Sequence, residues 1–404
     1  MMEENVWALH RKSILAQMQD QSVLVVFSQQ KSETKMDVDR NYYYLSGNFE
    51  YDNIVLLAKI DRQEQEVMFI HPYDEQKAKW VGAPLSKADI NRQNGIKTIY
   101  YLNEFEDYLQ GLLQKAPLLY LDLKEVNNPL SYEMDFAKKQ KAAYPTLMIM
   151  DASCFFKKSR TIKHPFEIEE MKKAIDITKE GIHALLRQMK PMKEYQLESY
   201  FDQAIKYHGA TGYAFPTIAA SGKNACCLHY TENNCDAKDG DLILFDLGAS
   251  YHLYCADISR TFPVNGRFTA RQKQLYNIVL EGQNVVMKAA GIGKTTKELN
   301  QILMDYYAVA LKEIGLIQHP EEVKKYYFHG VSHHIGLDCH DWCLYTPLEE
   351  GSVISCEPGL YIEEEGIGIR IEDDLLITKD GCINLSADIL KTVEEIEDFM
   401  KGGN

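Results

Sequence analysis

The 404-residue sequence has no run of 18 or more apolar residues, so it offers no segment that would cross a bilayer as a helix. Its start, Met-Met-Glu-Glu, is acidic and lacks the positive region and apolar stretch of a secretion signal. The expectation is a cytoplasmic protein. Positive charge is also short: 44 Lys and Arg stand against 59 Asp and Glu, a net charge of −15. A surface of that sign repels phosphate backbones and anionic lipid, so neither nucleic acid nor membrane is an expected partner. The nine cysteines include no Cys-x-x-Cys pair, and their number is odd. Without a secretion signal they read as reduced thiols serving as small core residues. Cys339 and Cys343 have His340 between them, but the spacing is wrong for a zinc finger and no second cysteine pair supports one.

What is present fits two domains of ordinary composition, 45% hydrophobic and 25% charged. Residues 1–155 alternate helix and strand signals. The pattern predicts helices over Val6–Met18, Asp74–Trp80, Glu104–Gln114 and Tyr132–Ala143. It predicts strands over Ser22–Phe27, Asn53–Ala58, Glu66–Ile70, Lys97–Tyr101 and Leu118–Leu121. This is the reading of an α/β domain. Residues 156–404 read differently, as helices packed on a mostly antiparallel sheet, which makes the whole chain α+β. Pro165 opens a long helix with Glu167, Glu169 and Glu170 in its first turn. A second helix spans about Lys193–His208 and stops at Gly209. A third starts at Thr269 with Gln272 in capping-box position, and a fourth spans Thr296–Ile314. The end, Lys401–Asn404, reads as frayed.

Two apolar runs carry a carboxylate each: Leu242–Gly248 holds Asp246, and Tyr251–Ile258 holds Asp257. A turn centred between Tyr251 and His252 sets Asp246 opposite Asp257 on one face of a hairpin. The pattern recurs downstream. Ser352–Glu357 and Gly368–Glu372 flank the turn-like Glu363-Glu364-Glu365-Gly366, a spacing that sets Glu357 opposite Glu372. One carboxylate in a strand is usually solvated or paired with arginine. Two hairpins that each place a pair among apolar neighbours demand positive charge between them. A histidine-rich segment, His329–Asp341, lies between the hairpins with His329, His333, His334 and His340. Four carboxylates and an imidazole form a hard, oxygen-rich set suited to Mn²⁺ or a similar ion, with Co²⁺ and Zn²⁺ as alternatives. Two divalent ions balance the four negative charges. Such pairs, about 3.5–4 Å apart, generate hydroxide from water near neutral pH.

The sequence carries, in order, Phe215-Pro216, Ser221-Gly222-Lys223-Asn224-Ala225, Leu228-His229-Tyr230-Thr231, Asp246-Leu247-Gly248-Ala249, Ala256–Phe262, His329–His333, Cys356–Tyr361 and Gly368–Asp373. These motifs resemble those of the aminopeptidase P and prolidase group of metallopeptidases. Asp39–Gly47 resembles the same family's non-catalytic N-terminal domain. The resemblance implies a C-terminal pita-bread catalytic domain behind a creatinase-like α/β domain. It implies metal ligands at Asp246, Asp257, His333, Glu357 and Glu372. Asp246 would hold one ion, His333 and Glu357 the other, and Asp257 and Glu372 would bridge them. Glu357 would also be the general base. His229, His329 and His340 would face the substrate, and Tyr361 and Arg370 would orient the ligands. No role is carried over to His334. The implied activity is removal of an N-terminal residue that precedes proline, by a homodimer. A prolidase acting on dipeptides, a non-peptidase binding protein of the same fold and a methionine aminopeptidase are the alternatives.

Overall fold

The computed structural model describes residues 5–29, 38–123 and 131–402. The acidic start at 1–4 and the last two residues of the expected frayed end lie outside them. The chain divides into two compact units, Met1–Ser159 and Arg160–Asn404. This division and the expected boundary at 155/156 both fall inside the helix Ser153–Thr161. Among the described residues, no helix is long and apolar enough to cross a membrane.

The first unit is built on a six-stranded sheet in the spatial order Thr98–Tyr101, Gln63–Ile70, Ile54–Ile60, Ser22–Phe27, Leu118–Leu121, Met148–Asp151. Every residue of Ser22–Phe27 is buried, as a continuous apolar run requires of a strand covered on both faces. It pairs antiparallel with Ile54–Ile60 and parallel with Leu118–Leu121. Asp61 and Arg62 take φ of 52° and 63°, the left-handed pair that a two-residue hairpin turn needs. Helices Val6–Gln17, Glu75–Val81, Phe105–Leu113 and Tyr132–Ala143 lie where periodicity put them. Four elements escaped that reading, among them the helices Lys87–Asn94 and Ser153–Thr161. Met148–Asp151 is an edge strand with two methionines and an aspartate where the equally short Thr98–Tyr101 has β-branched and aromatic residues, so strand propensity does not mark it. Arg40–Ser46 is a helix because the Asp39 carboxylate accepts from the Tyr42 N–H at 2.7 Å, and Gly47 ends it at φ 62°.

In the second unit the helix Pro165–Arg187 starts at its proline, and the Glu167 carboxylate accepts from the His164 N–H at 2.8 Å. It packs on the helix Glu194–Tyr207 so closely that a Cβ on Gly181 would stand 2.4 Å from the Phe201 ring. Thr269 with Gln272 and Thr295 with Glu298 close capping boxes on the helices Ala270–Ala289 and Thr296–Glu313. The apolar stripes of these helices and the inner faces of the strands share one core. Among the described residues, every strand pairing in this unit is antiparallel. Helices on antiparallel sheets here, after an α/β unit, make the chain α+β.

Candidate active site

The first hairpin forms, with a correction to its register. Leu242–Leu247 pairs with Ile258–Pro263 and Asp246 stands opposite Ser259. Tyr251 and Tyr254 close the ladder as a cross-strand aromatic pair. That leaves His252 and Leu253 as the turn, at φ 47° and 70°, one residue beyond the expected centre. Asp257 is therefore level with Gly248 rather than Asp246. A shift of two along the partner strand keeps both carboxylates on one face, since side chains alternate with a period of two. Gly248 is required there: a Cβ would lie 2.0 Å from the Ala256 carbonyl oxygen.

The second hairpin has the expected register. Val353–Cys356 pairs with Asp373–Thr378 and Gly359–Ile362 with Ile367–Arg370, which sets Glu357 level with Glu372. The segment around His333 runs beside it. Glu357 N–H donates to Val331 O at 3.0 Å, Ser355 N–H to His333 O at 2.8 Å and Ile335 N–H to Val353 O at 3.0 Å. His333 is thus pinned next to Glu357 by backbone pairing.

These elements bring the predicted ligands together. Asp257, His333 and Glu372 present ligand atoms within 4.8 Å of one another. His333 Nε2 lies 3.3 Å from Asp257 Oδ2 and 3.5 Å from Glu357 Oε1. Its Nδ1–H donates to the His334 carbonyl at 3.1 Å, which leaves Nε2 as the nitrogen aimed at the carboxylates. Arg370 ties in Asp246: its Nη2 donates to Asp246 Oδ2 at 2.6 Å, Nη1 to Tyr361 Oη at 3.0 Å and Nε to Ser259 Oγ at 2.8 Å. Ser259 Oγ donates in turn to Glu372 Oε2 at 2.7 Å. His329 ends the chain, with Nε2 accepting from Tyr361 Oη at 2.8 Å and Nδ1–H donating to Gly330 O at 2.8 Å. His340 is exposed and its ring lies 4.0 Å from that of His333. His229 is exposed as well, close enough for its charge to oppose protonation of both His329 and His340.

Charge within the cluster does not balance. Burial, then repulsion from Asp257, Glu357 and Asp246, hold the Glu372 carboxyl well above its ordinary range. Burial pushes Glu357 up to about 7, and raises Asp246 despite Arg370. His333 shows the complement: burial disfavours its charged form, but Asp257 and Glu357 outweigh this and lift it to about 9. Burial and Arg370 press His329 down to about 4, so that ring is neutral. The protons held here stand where positive charge is wanted. Asp246 Oδ1 is buried with no hydrogen-bond partner among the described residues. An unpartnered carboxylate oxygen, hard oxygen donors and one oriented imidazole nitrogen fit divalent metal ions.

Several residues around the site escaped sequence reasoning. Asp374 is wholly buried and accepts from the Asp257 N–H at 3.2 Å. Cys339, expected to be mere packing, sits with Sγ 2.8 Å from Asp257 Oδ2; its adjacency to His340 was the available signal. Glu194 is fully buried and grips the segment that carries His229. Its Oε1 accepts from Ser221 N, Ser221 Oγ and Asn224 Nδ2 at 2.8, 2.7 and 3.0 Å. Its Oε2 accepts from Tyr230 Oη and Cys235 N at 2.8 and 2.9 Å. Nothing in the local pattern around Glu194 distinguishes it from a helix-opening acid. His334 is buried, and burial with nearby Lys163 drives it down to about 3, a neutral packed ring.

Comparison with known proteins gives these side chains a setting. Residues 169–379 match Metallopeptidase family M24, and residues 7–120 match the aminopeptidase P N-terminal domain. The chain is 32% identical to a Xaa-Pro aminopeptidase of Haemophilus influenzae, and equally to one of Escherichia coli, covering 96% of both chains in each case. Among solved structures it is similar to a Bacillus anthracis chain provisionally described as aminopeptidase P, at 42% identity and TM-score 0.95, over 99% of this chain and 98% of that one. It is also similar to zinc-substituted Escherichia coli aminopeptidase P in complex with product, at 30% identity and TM-score 0.89, with 99% and 98% covered. A pita-bread domain with converging carboxylates, a matching N-terminal domain and similarity along nearly the whole length lead to one assignment: the chain belongs to metallopeptidase family M24.

Proposed function

We propose that this chain is a Xaa-Pro aminopeptidase, a hydrolase that cleaves between an N-terminal residue and a following proline. The observation that carries this reading is the convergence of Asp257, His333 and Glu372, flanked by Glu357 and by Asp246 with its unpartnered oxygen. Asp246, Asp257, His333, Glu357 and Glu372 would hold two divalent ions, with Mn²⁺ the ion that the oxygen-rich set favours. When bound, such a pair acidifies water and draws electron density from a carbonyl.

The chain's own groups would do the rest. Glu357 takes the proton of the attacking water and returns it to the proline nitrogen as that nitrogen leaves. His229 and His340, both open to solvent, donate to the substrate carbonyl and to the oxyanion that forms on it. His329, a neutral ring whose Nε2 accepts from Tyr361, would instead accept a hydrogen bond from a substrate donor that displaces Tyr361. Arg370 holds Asp246 and, through Ser259, Glu372 in place, and offsets part of their charge. The proline nitrogen carries no N–H, so its recognition rests on an apolar slot rather than on an acceptor.

Hydrolysis of Ala-Pro-Ala and Ala-Pro by manganese-loaded protein, with a chelator control, tests this. Chelator-sensitive release of alanine from the tripeptide is expected. Cleavage of the dipeptide alone would make the chain a prolidase, and no cleavage of either would sink the peptidase reading. The protein is further proposed to be a cytoplasmic homodimer. The helix Glu75–Val81 buries none of its residues and leaves Trp80 88% exposed, a surface suited to self-association. Light scattering that finds only monomer would refute that.

A further inference from the structure

Beside the carboxylates lies a second group of ligand atoms of different chemistry. His333, Cys339 and His340 present two imidazole nitrogens and a sulfur, all within 4.8 Å of one another. Cys339 Sγ lies 2.8 Å from Asp257 Oδ2, and the two imidazole rings are 4.0 Å apart. His340 is exposed and Cys339 half-buried, so an ion from solvent reaches the group without opening the core. Nitrogen and thiolate donors select thiophilic ions, whereas the four carboxylates select hard ones. The two groups share His333, whose single Nε2 serves one ion at a time.

We propose that His333, Cys339 and His340 form a soft-metal site that overlaps the hard-ion centre, where a thiophilic divalent cation binds in competition with Mn²⁺. The Cys339 thiol gives its proton to water as the sulfur–metal bond forms. Bound there, the ion withdraws His333 from the hard-ion centre and occupies His340, a proposed substrate contact. The consequence is a peptidase that excess Zn²⁺ or Cd²⁺ switches off through one particular thiol. The inference rests on the reading of His333 as a ligand of the hard-ion centre.

Cadmium is the probe, because its bonds to thiolate absorb in the ultraviolet. Full-length protein and its Cys339→Ser and Cys339→Ala variants are loaded with Mn²⁺ and titrated with Cd²⁺, with thiolate absorption and released Mn²⁺ followed together. Serine keeps a donor for Asp257 while removing the soft sulfur. The unaltered protein should gain a thiolate band in step with Mn²⁺ release, and both variants should lose that share of the band and hold Mn²⁺ to higher Cd²⁺. Equal bands and equal Mn²⁺ release in all three proteins would overturn the soft site. Failure of all three to take up Mn²⁺ at the start would instead remove the hard-ion reading, and this inference with it.

Discussion

Glu372 and Asp373 are neighbours in sequence, are both buried, and belong to opposite kinds of acid cluster. Asp373 meets the Arg260 guanidinium and the Lys391 ammonium, each at 2.6 Å, and also accepts from Ser386 and Asn384. Burial works against its charge, but the two cations overcome it and hold the carboxyl down at about 2. Glu372, whose side chain points to the other face of the strand, meets three more carboxylates and shares one arginine with them, and its carboxyl is pushed far up. Buried charge that is matched within the chain supports structure. Buried charge left unmatched marks a place for something from outside.

That contrast can be broken by mutation. The largest expected effect is on turnover: Glu357→Gln should lower kcat by about 10²–10⁴-fold, the usual worth of a general base, with thermal unfolding little changed. Normal turnover in that variant would place the base elsewhere. At the matched cluster the effect should move to stability. Asp373→Ala strands Arg260 and Lys391 and should cost about 3–5 kcal/mol, read by denaturant unfolding; a loss below about 1 kcal/mol would deny the cluster its structural role. Between these lies Arg370→Lys, which keeps the charge but loses the fork that joins Asp246, Tyr361 and Ser259. Metal affinity should fall about 10–100-fold, measured by titration calorimetry. Glu194→Gln should lower kcat about tenfold, less than the about 10²–10³-fold that outright loss of one oxyanion donor costs, because His229 is displaced and not removed. That loss should vanish in a His229→Ala background, whereas a purely structural role leaves it intact in both backgrounds.

The smallest effect concerns pH. Without metal, Glu357 titrates near 7 in the folded protein against about 4.3 unfolded, and His333 near 9 against about 6.5. Between those values the folded state binds protons that the unfolded state has released, so this cluster's share of stability falls as pH rises from about 4.3 to 9. Metal ions take the place of the protons and remove that fall. The gap in Tm between metal-loaded and chelated protein should widen from pH 5 to pH 8, and a constant gap would refute the account. Asp373, whose pKa is lowered, contributes equally to both forms and cancels in the difference.

Much of this was legible before any coordinates. Pro165, the Thr269 and Gln272 capping box and the buried run Ser22–Phe27 are local signals, and each lies where expected. The second hairpin was readable because a glycine turn lies midway between Glu357 and Glu372. The first misled by one residue, because His252 and Leu253 are not turn formers by habit and the Tyr251–Tyr254 pair decides the matter. Met148–Asp151, rich in methionine and poor in β-branched and aromatic residues, carries too weak a strand signal to be seen.

The sequence by itself determined which acids and histidines stand in apolar surroundings and on which face of a strand they project, because strand period and turn chemistry are local. Only the tertiary structure decided which of them are matched. Arg260, 113 residues from Asp373, and Arg370, 124 residues from Asp246, are brought to their partners by sheet packing. So is Cys339, 82 residues from Asp257. Electrostatic balance is a property of distances of a few ångströms, and no spacing along the chain encodes those.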